Sequence, residues 1–262
     1  MHKQITLLPI LGGKDYPKNV TVEWHGLDTK SLFKENLKKL DQSWFYANNK
    51  ITYELNSQGY RCKEFDEIDW INSYAVVGCS HIFGSGNRLE DTIPRLIQKK
   101  TGVNCINLGV PSSSCEHQFL NTLLLLSYTK VKKVIVVWTY PTRTNVYEKT
   151  KFHRLDRLVN KLLISGYDKN FHNKQMLQSL VQLTFGNLEH SVFLLDTYRQ
   201  IFSNSYRHSV SQFNIIDLEK EFGGHDYHDL TNKLRSPDLA RDMQHYGPMW
   251  NSLVADKISC TL

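Results

Sequence analysis

The chain has 262 residues, 40% of them hydrophobic and 22% charged, the make-up of an ordinary globular protein large enough to bury a full core in one domain. A formal charge of +6, from 32 basic and 26 acidic residues, is too small at this length to indicate nucleic-acid binding. Five cysteines (Cys62, Cys79, Cys105, Cys115, Cys260) form an odd set without a C-x-x-C pair, which argues against a disulfide framework or structural zinc and makes reduced thiols the simpler reading.

The opening stretch, "MHKQITLLPILGGKDYPKN", holds an apolar run of about seven residues and no convincing cleavage site. No apolar stretch approaches the ~18 residues of a membrane span. These features predict a soluble protein, intracellular or released without a signal peptide. Residues 1–52 are irregular and read as an N-terminal extension packed on the core, with the domain proper at 53–262.

From residue 73 onward, short apolar runs alternate with helix-length segments. "SYAVVG" (73–78), "VNCINLG" (103–109) and "KKVIVVW" (132–138) predict strands. They are apolar on both faces, as in a parallel sheet covered by helices on each side. Between them, "RLEDTIPRLIQKKTG" (88–102) ends in lysines and Gly102, and "SSSCEHQFLNTLLLLSYTK" (112–130) opens with a serine–glutamate capping pattern. Residues 145–190 are more polar and read as a helical insertion. "SVFLLD" (191–196) and "FNIIDL" (213–218) add two strands, and "YGPMWNSLVADKISCTL" (246–262) closes the chain as a helix with Pro248 near its start. The alternation predicts a flavodoxin-like α/β fold: a three-layer α/β/α sandwich around a mostly parallel five-stranded sheet.

In such sheets ligands bind beyond the carboxyl ends of the strands. Ser80, Gly109 and the segment from Thr139 to Arg143 follow the first three strands of the core. A serine hydroxyl needs a base within reach, and that base needs a carboxylate to orient it. "RDMQHYGP" supplies Asp242 three residues before His245, a spacing that puts both side chains on one side of a turn.

These residues resemble the SGNH (GDSL-like) hydrolases. The nucleophile block G-D-S-x-x-x-G matches Gly78-Cys79-Ser80-His81-Ile82-Phe83-Gly84, the second block centres on Gly109, and D-x-x-H matches Asp242 and His245. Upstream, residues 53–67 contain N-x-x-G-Y-R (Asn56 to Arg61), a segment often found before the nucleophile block in such proteins. The resemblance implies a serine esterase hydrolysing or transferring an acyl or acetyl ester on a carbohydrate or lipid. Ser80 is then the nucleophile, His245 the base and Asp242 its orienting acid. The backbone amides of Ser80 and Gly109 form the oxyanion hole, and neither metal nor organic cofactor takes part. Two positions depart from the pattern. Cys79 stands where the family has aspartate, and "VWTYPTR" (137–143) lacks the third-block asparagine, so Thr139 or Arg143 is expected to contact substrate in its place. That missing asparagine also motivates the alternative, an inactive binding or structural module on the same scaffold, as in a viral particle. An α/β-hydrolase elbow, G-x-S-x-G, is excluded because Ile82 occupies its last glycine position.

Other features have plainer readings. Cys79 and Ser80 are neighbours at a strand end, so only one faces the cleft. His81 is read as structural. "GGHDYHDL" (223–230) does not match a familiar zinc pattern. Lys151, Arg154, Arg157 and Lys161 form a solvated helix face.

Overall fold

The structure, a computed structural model, describes residues 5–7, 16–40, 44–139 and 238–262, and the backbone alone at 145–148, 151–154, 190–193 and 214–217. Two short strands, β1 (Val20–Val22) and β2 (Tyr53–Leu55), pair antiparallel. The chain between them forms α1 (Lys30–Lys39) and α2 (Phe45–Asn48). Helix α1 starts where the Thr29 hydroxyl accepts the Leu32 N–H at 3.2 Å, a side-chain N-cap.

The central sheet contains β3 (Ser73–Gly78), then, beyond a short helical turn α3 (Ser80–Phe83) and helix α4 (Ile93–Thr101), β4 (Asn104–Gly109). Helix α5 (Cys115–Tyr128) leads to β5 (Lys133–Trp138). An antiparallel pair, β6 (Asn145–Glu148) and β7 (Lys151–Arg154), precedes β8 (His190–Phe193) and β9 (Asn214–Asp217), and α6 (Pro248–Ser259) closes the fold. The sheet order is β4-β3-β5-β8-β9, with every pairing parallel.

Strand alternation explains the layers. Ala75, Val77, Ile106, Leu108, Val134 and Val136 point to one face and pack with Cys115, Phe119 and Leu125 of α5. Tyr74, Val76, Cys105, Ile135 and Val137 point to the other and pack with Ile93 and Ile97 of α4 and with Trp250, Val254 and Ile258 of α6. The α/β/α sandwich and the parallel sheet are therefore as the sequence predicts.

Three elements differ from the sequence reading. The first predicted helix begins at Ile93 rather than near Arg88: a 3-10 turn, Leu89–Asp91, comes first. The Thr92 hydroxyl donates back to the Leu89 carbonyl at 2.7 Å, and Pro94 suits the opening turn that follows. The second begins at Cys115, capped by the Ser114 side chain on the His117 N–H. The helical reading of 145–190 is wrong at its start, where 145–154 hold the β6–β7 pair. Val146, Tyr147 and Phe152 favour a pleated backbone, and the helical spacing of Lys151 and Arg154 came from charges rather than from an apolar stripe. The rest of that segment, with Arg157 and Lys161, lies outside the described residues.

Strand β3 is the first of the core, β4 adds on one side of it and β5 on the other. The strand order therefore reverses at β3, and the carboxyl end of β3 is where a crevice opens in this topology.

Candidate active site

At that end the chain turns abruptly. Gly78 of β3 and Gly109 of β4 are register partners, and both are needed bare. A methyl group on Gly78 would stand 2.3 Å from Ile82 Cγ1, and one on Gly109 would stand 2.2 Å from the Phe83 nitrogen. The missing side chains let the Ser80–Phe83 turn fold down across the strand ends. Cys79 O accepts the N–H groups of Ile82 and Phe83 at 3.1 and 3.0 Å, and Ser80 O accepts those of Gly84 and Ser85 at 3.0 and 3.1 Å. The turn stops at Gly84, in the left-handed conformation at φ 79°.

The N-x-x-G-Y-R segment fastens this turn from below. Asn56 Oδ1 accepts the N–H groups of Gln58 and Tyr60 at 3.0 and 2.9 Å, an Asx-type turn that projects Arg61 inward. The Arg61 guanidinium donates to the carbonyls of Phe83 (3.2 Å), Gly84 (2.9 Å), Asn87 (3.1 Å) and Thr52 (2.9 Å). Burial draws its pKa down to about 10, so it remains a cation at neutral pH. Asn107 Nδ2 adds a bond to Ile82 O at 2.9 Å.

The Asp242–His245 loop arrives from the far end of the chain. His245 Nδ1 lies 2.5 Å from Asp242 Oδ2. A carboxylate only accepts, which makes Nδ1 the protonated nitrogen and leaves the Nε2 lone pair open to accept a hydrogen bond. Asp242 Oδ1 accepts the backbone N–H groups of Gln244 and His245 at 3.0 and 3.1 Å. Asp242 is 1% exposed. The Asp238 carboxylate holds the loop to α6 by accepting the N–H groups of Met249 and Trp250 at 2.8 and 2.7 Å, and burial raises its pKa. Asn87 Nδ2 donates to Tyr246 O at 2.9 Å, joining this loop to the serine loop.

The predicted site residues come together in part. Asp242 and His245 are paired as expected. Among the described residues Ser80 Oγ makes no hydrogen bond to His245. The two loops meet instead through neighbours: the rings of His81 and His245 lie edge to face with centroids 5.3 Å apart, and a methyl on Gly86 would stand 3.1 Å from Asp242 Oδ1. The Gly109 N–H, read as an oxyanion donor, is directed at Asn107 Oδ1 at 3.0 Å. Thr139 is buried at the end of β5, its N–H on Gln118 Oε1 at 3.2 Å. Arg143 and residues 223–230 lie outside the described residues. Cys79 is 1% exposed and Ser80 7%, so both flank the turn from within.

Four groups that shape this site were not singled out in the sequence. Asn107 captures the Gly109 amide, and its place two residues before that glycine is the signal that could have found it. Ser112 and Met243 have left-handed backbones, at φ 62° and 56°, a conformation that costs a non-glycine residue about 1 kcal/mol or more and clusters at functional loops. Asp28 has no sequence signal at all.

No known family profile and no curated protein sequence matches the chain. Solved structures do. One belongs to a protein assigned to the lipolytic G-D-S-L family from Desulfitobacterium hafniense, 14% identical over 73% of this chain and 99% of that one, with a TM-score of 0.48. A lipase/acylhydrolase from Enterococcus faecalis is 14% identical over 72% of this chain and 94% of its own, with a TM-score of 0.46. An acetyl xylan esterase is 18% identical over 72% and 99%, with a TM-score of 0.46. At these identities the likeness is one of fold alone.

Proposed function

We propose that the chain is a serine hydrolase of acyl esters, with Ser80 as nucleophile, His245 as general base and Asp242 as its orienting carboxylate. Ser80 Oγ attacks the ester carbonyl carbon while its proton passes to His245 Nε2. The tetrahedral intermediate collapses, the alcohol leaves with the proton from His245, and water repeats the sequence on the acyl-serine. Asp242 keeps the imidazole in the tautomer this requires and stabilises its charged form. The Ser80 N–H receives the oxyanion, and the Gly109 N–H joins it by exchanging its bond to Asn107. Thr139 or Arg143 stands in for the absent third-block asparagine, and the substrate is an acyl or acetyl ester on a carbohydrate or lipid.

One observation carries this reading. Both oxygens of a buried carboxylate are committed to one histidine and its own loop, an arrangement that prepares a single ring nitrogen as a base beside the serine turn. That Ser80 Oγ and His245 are not hydrogen-bonded to each other here is compatible with it, because such contacts often tighten only when substrate is bound. Replacing Ser80 by alanine is expected to lower turnover of p-nitrophenyl acetate by about 10⁴–10⁶-fold and to abolish labelling by a fluorophosphonate. Unchanged turnover in that variant rules the assignment out.

The engaged Gly109 amide favours a second reading, a scaffold that binds without catalysing. A folded chain that takes no fluorophosphonate at any pH between 5 and 9 supports it.

A further inference from the structure

Residues 20–40 contribute none of the motifs of the site, yet a buried ion pair joins them to it. Arg241, the residue immediately before Asp242, donates from Nε to Asp28 Oδ1 at 2.9 Å and from Nη2 to Asp28 Oδ2 at 2.7 Å. Nη2 also reaches Glu23 O at 2.6 Å. The guanidinium lies over the Trp24 ring, 4.0 Å from its centroid, with Phe33 at 5.7 Å. Asp28 is fixed in turn by reciprocal backbone bonds with His25 at 3.0 and 3.1 Å.

The backbone of Arg241 is held as firmly as its side chain. Its carbonyl accepts from Asn36 Nδ2 of α1 at 3.2 Å, and its N–H donates to Gly86 O at 2.9 Å. The Gly86 N–H donates to the Tyr53 hydroxyl at 2.9 Å, and that hydroxyl donates to Asp28 Oδ2 at 2.5 Å. Burial, with the Asp28 carboxylate beside it, keeps the Tyr53 phenol well above its ordinary pKa, so it stays a donor. The bonds form a closed ring, Asp28–Arg241–Gly86–Tyr53–Asp28, with one member on the acid–base loop, one on the serine loop and two on the N-terminal half. Stability alone does not call for this device, since apolar replacements of buried ion pairs are often neutral or better. What a bidentate pair supplies is direction.

We propose that Asp28, Tyr53 and Arg241 are positioning residues: the N-terminal segment clamps the acid–base loop so that Asp242 faces His245 while His245 faces the serine turn. The segment is thereby part of the catalytic unit rather than an appendage. The kinetic half of this proposal rests on the esterase reading; the geometric half does not.

The test uses the full chain with Asp28→Asn, Tyr53→Phe and Asn36→Ala, and Ile258→Ala as a control destabilised far from the site, all below their melting midpoints. The first readout is the low-field proton NMR line of the His245 Nδ1–H, identified by its loss in His245→Gln. The second is kcat against KM for p-nitrophenyl acetate. The line is expected to shift or broaden in Asp28→Asn and less so in Tyr53→Phe, with kcat down at least tenfold, KM within twofold, and Ile258→Ala like the parent in both. If Asp28→Asn does not fold, Tyr53→Phe and Asn36→Ala decide by the same criteria. A line that is absent from the parent chain, or unmoved in a folded Asp28→Asn protein, overturns the proposal whatever kcat does. So does an equal change in Ile258→Ala. A parent chain that shows the line but neither turns over ester nor takes a fluorophosphonate defeats the esterase reading, and the NMR line alone then judges the clamp.

Discussion

The serine arm of the site, residues 78–87, closes largely on itself, whereas the acid–base arm, residues 238–247, is tied to distant parts of the chain. In the first, the backbone bonds within the turn span three to five residues, and the Arg61 guanidinium collects carbonyls 9 to 26 residues away. In the second, the anchors come from Asn87 at a separation of 159 residues, Asn36 at 205 and Asp28 at 213. The serine arm takes its shape once β3 and β4 pair. The acid–base arm takes its shape only when both ends of the chain are in place, after the larger loop-closure entropy has been overcome. The geometry of the serine turn is thus largely a local property here, and that of the Asp242–His245 loop a global one.

Substitutions can separate the two. Asp242→Asn, which keeps the size of the side chain but reverses the tautomer it favours on His245, is expected to lower kcat by about 10⁴ while leaving the fold intact. Ester turnover within tenfold of the parent would mean that the acid–base arm does not serve the serine. Gly109→Ala attacks the other arm through packing. A methyl 2.2 Å from a backbone nitrogen has no room, and a loss of about 3 kcal/mol in urea unfolding is expected, with the serine turn displaced. A loss under about 0.5 kcal/mol would show that the two elements do not approach so closely.

Acid titration reaches the fold through two histidines held neutral, one of them packed on the serine turn. Burial lowers the pKa of His25, whose ring packs 4.8 Å from Phe83 of the serine turn, to about 4, and that of His117 in α5 to about 3. Asn121 Nδ2, 3.0 Å from His117 Nε2, is placed to donate to it, which suits the neutral ring. In the unfolded chain both take up protons near 6.5. Their effect on stability is therefore absent above that pH, grows as pH falls, and levels off below about 4 for His25 and 3 for His117. At pH 5 each is expected to cost about 2 kcal/mol. His25→Gln and His117→Gln should each flatten the fall in urea midpoint between pH 7 and pH 5. An unchanged slope in both would mean that these rings are not kept neutral.

Much of the core was legible in the sequence. β3 spans residues 73–78 and β4 residues 104–109, within a residue of the segments read from the sequence, because both are short, mostly apolar runs that end in glycine at a turn. The Asp242–His245 pair was legible because three residues of spacing within one turn allow few arrangements. The β6–β7 pair was misread because charges, unlike an apolar stripe, carry no information about which face is buried. The direction of the Gly109 amide was not legible either. Whether it points at a ligand or at Asn107 depends on how an edge strand meets the turn packed upon it, which no periodicity records.

What the sequence determined by itself is the order of strands and helices and the places where the chain must turn, since alternation, capping residues and bare glycines act over a few neighbouring positions. Only the tertiary structure decided that Arg241 meets Asp28, that Gly86 lies against Asp242, and that a tyrosine near the start of the domain ties them together. Those are contacts between groups with no local relation. A buried charge or an unpaired amide accepts whatever partner the fold brings to it, and that partner can be named only once the chain has closed.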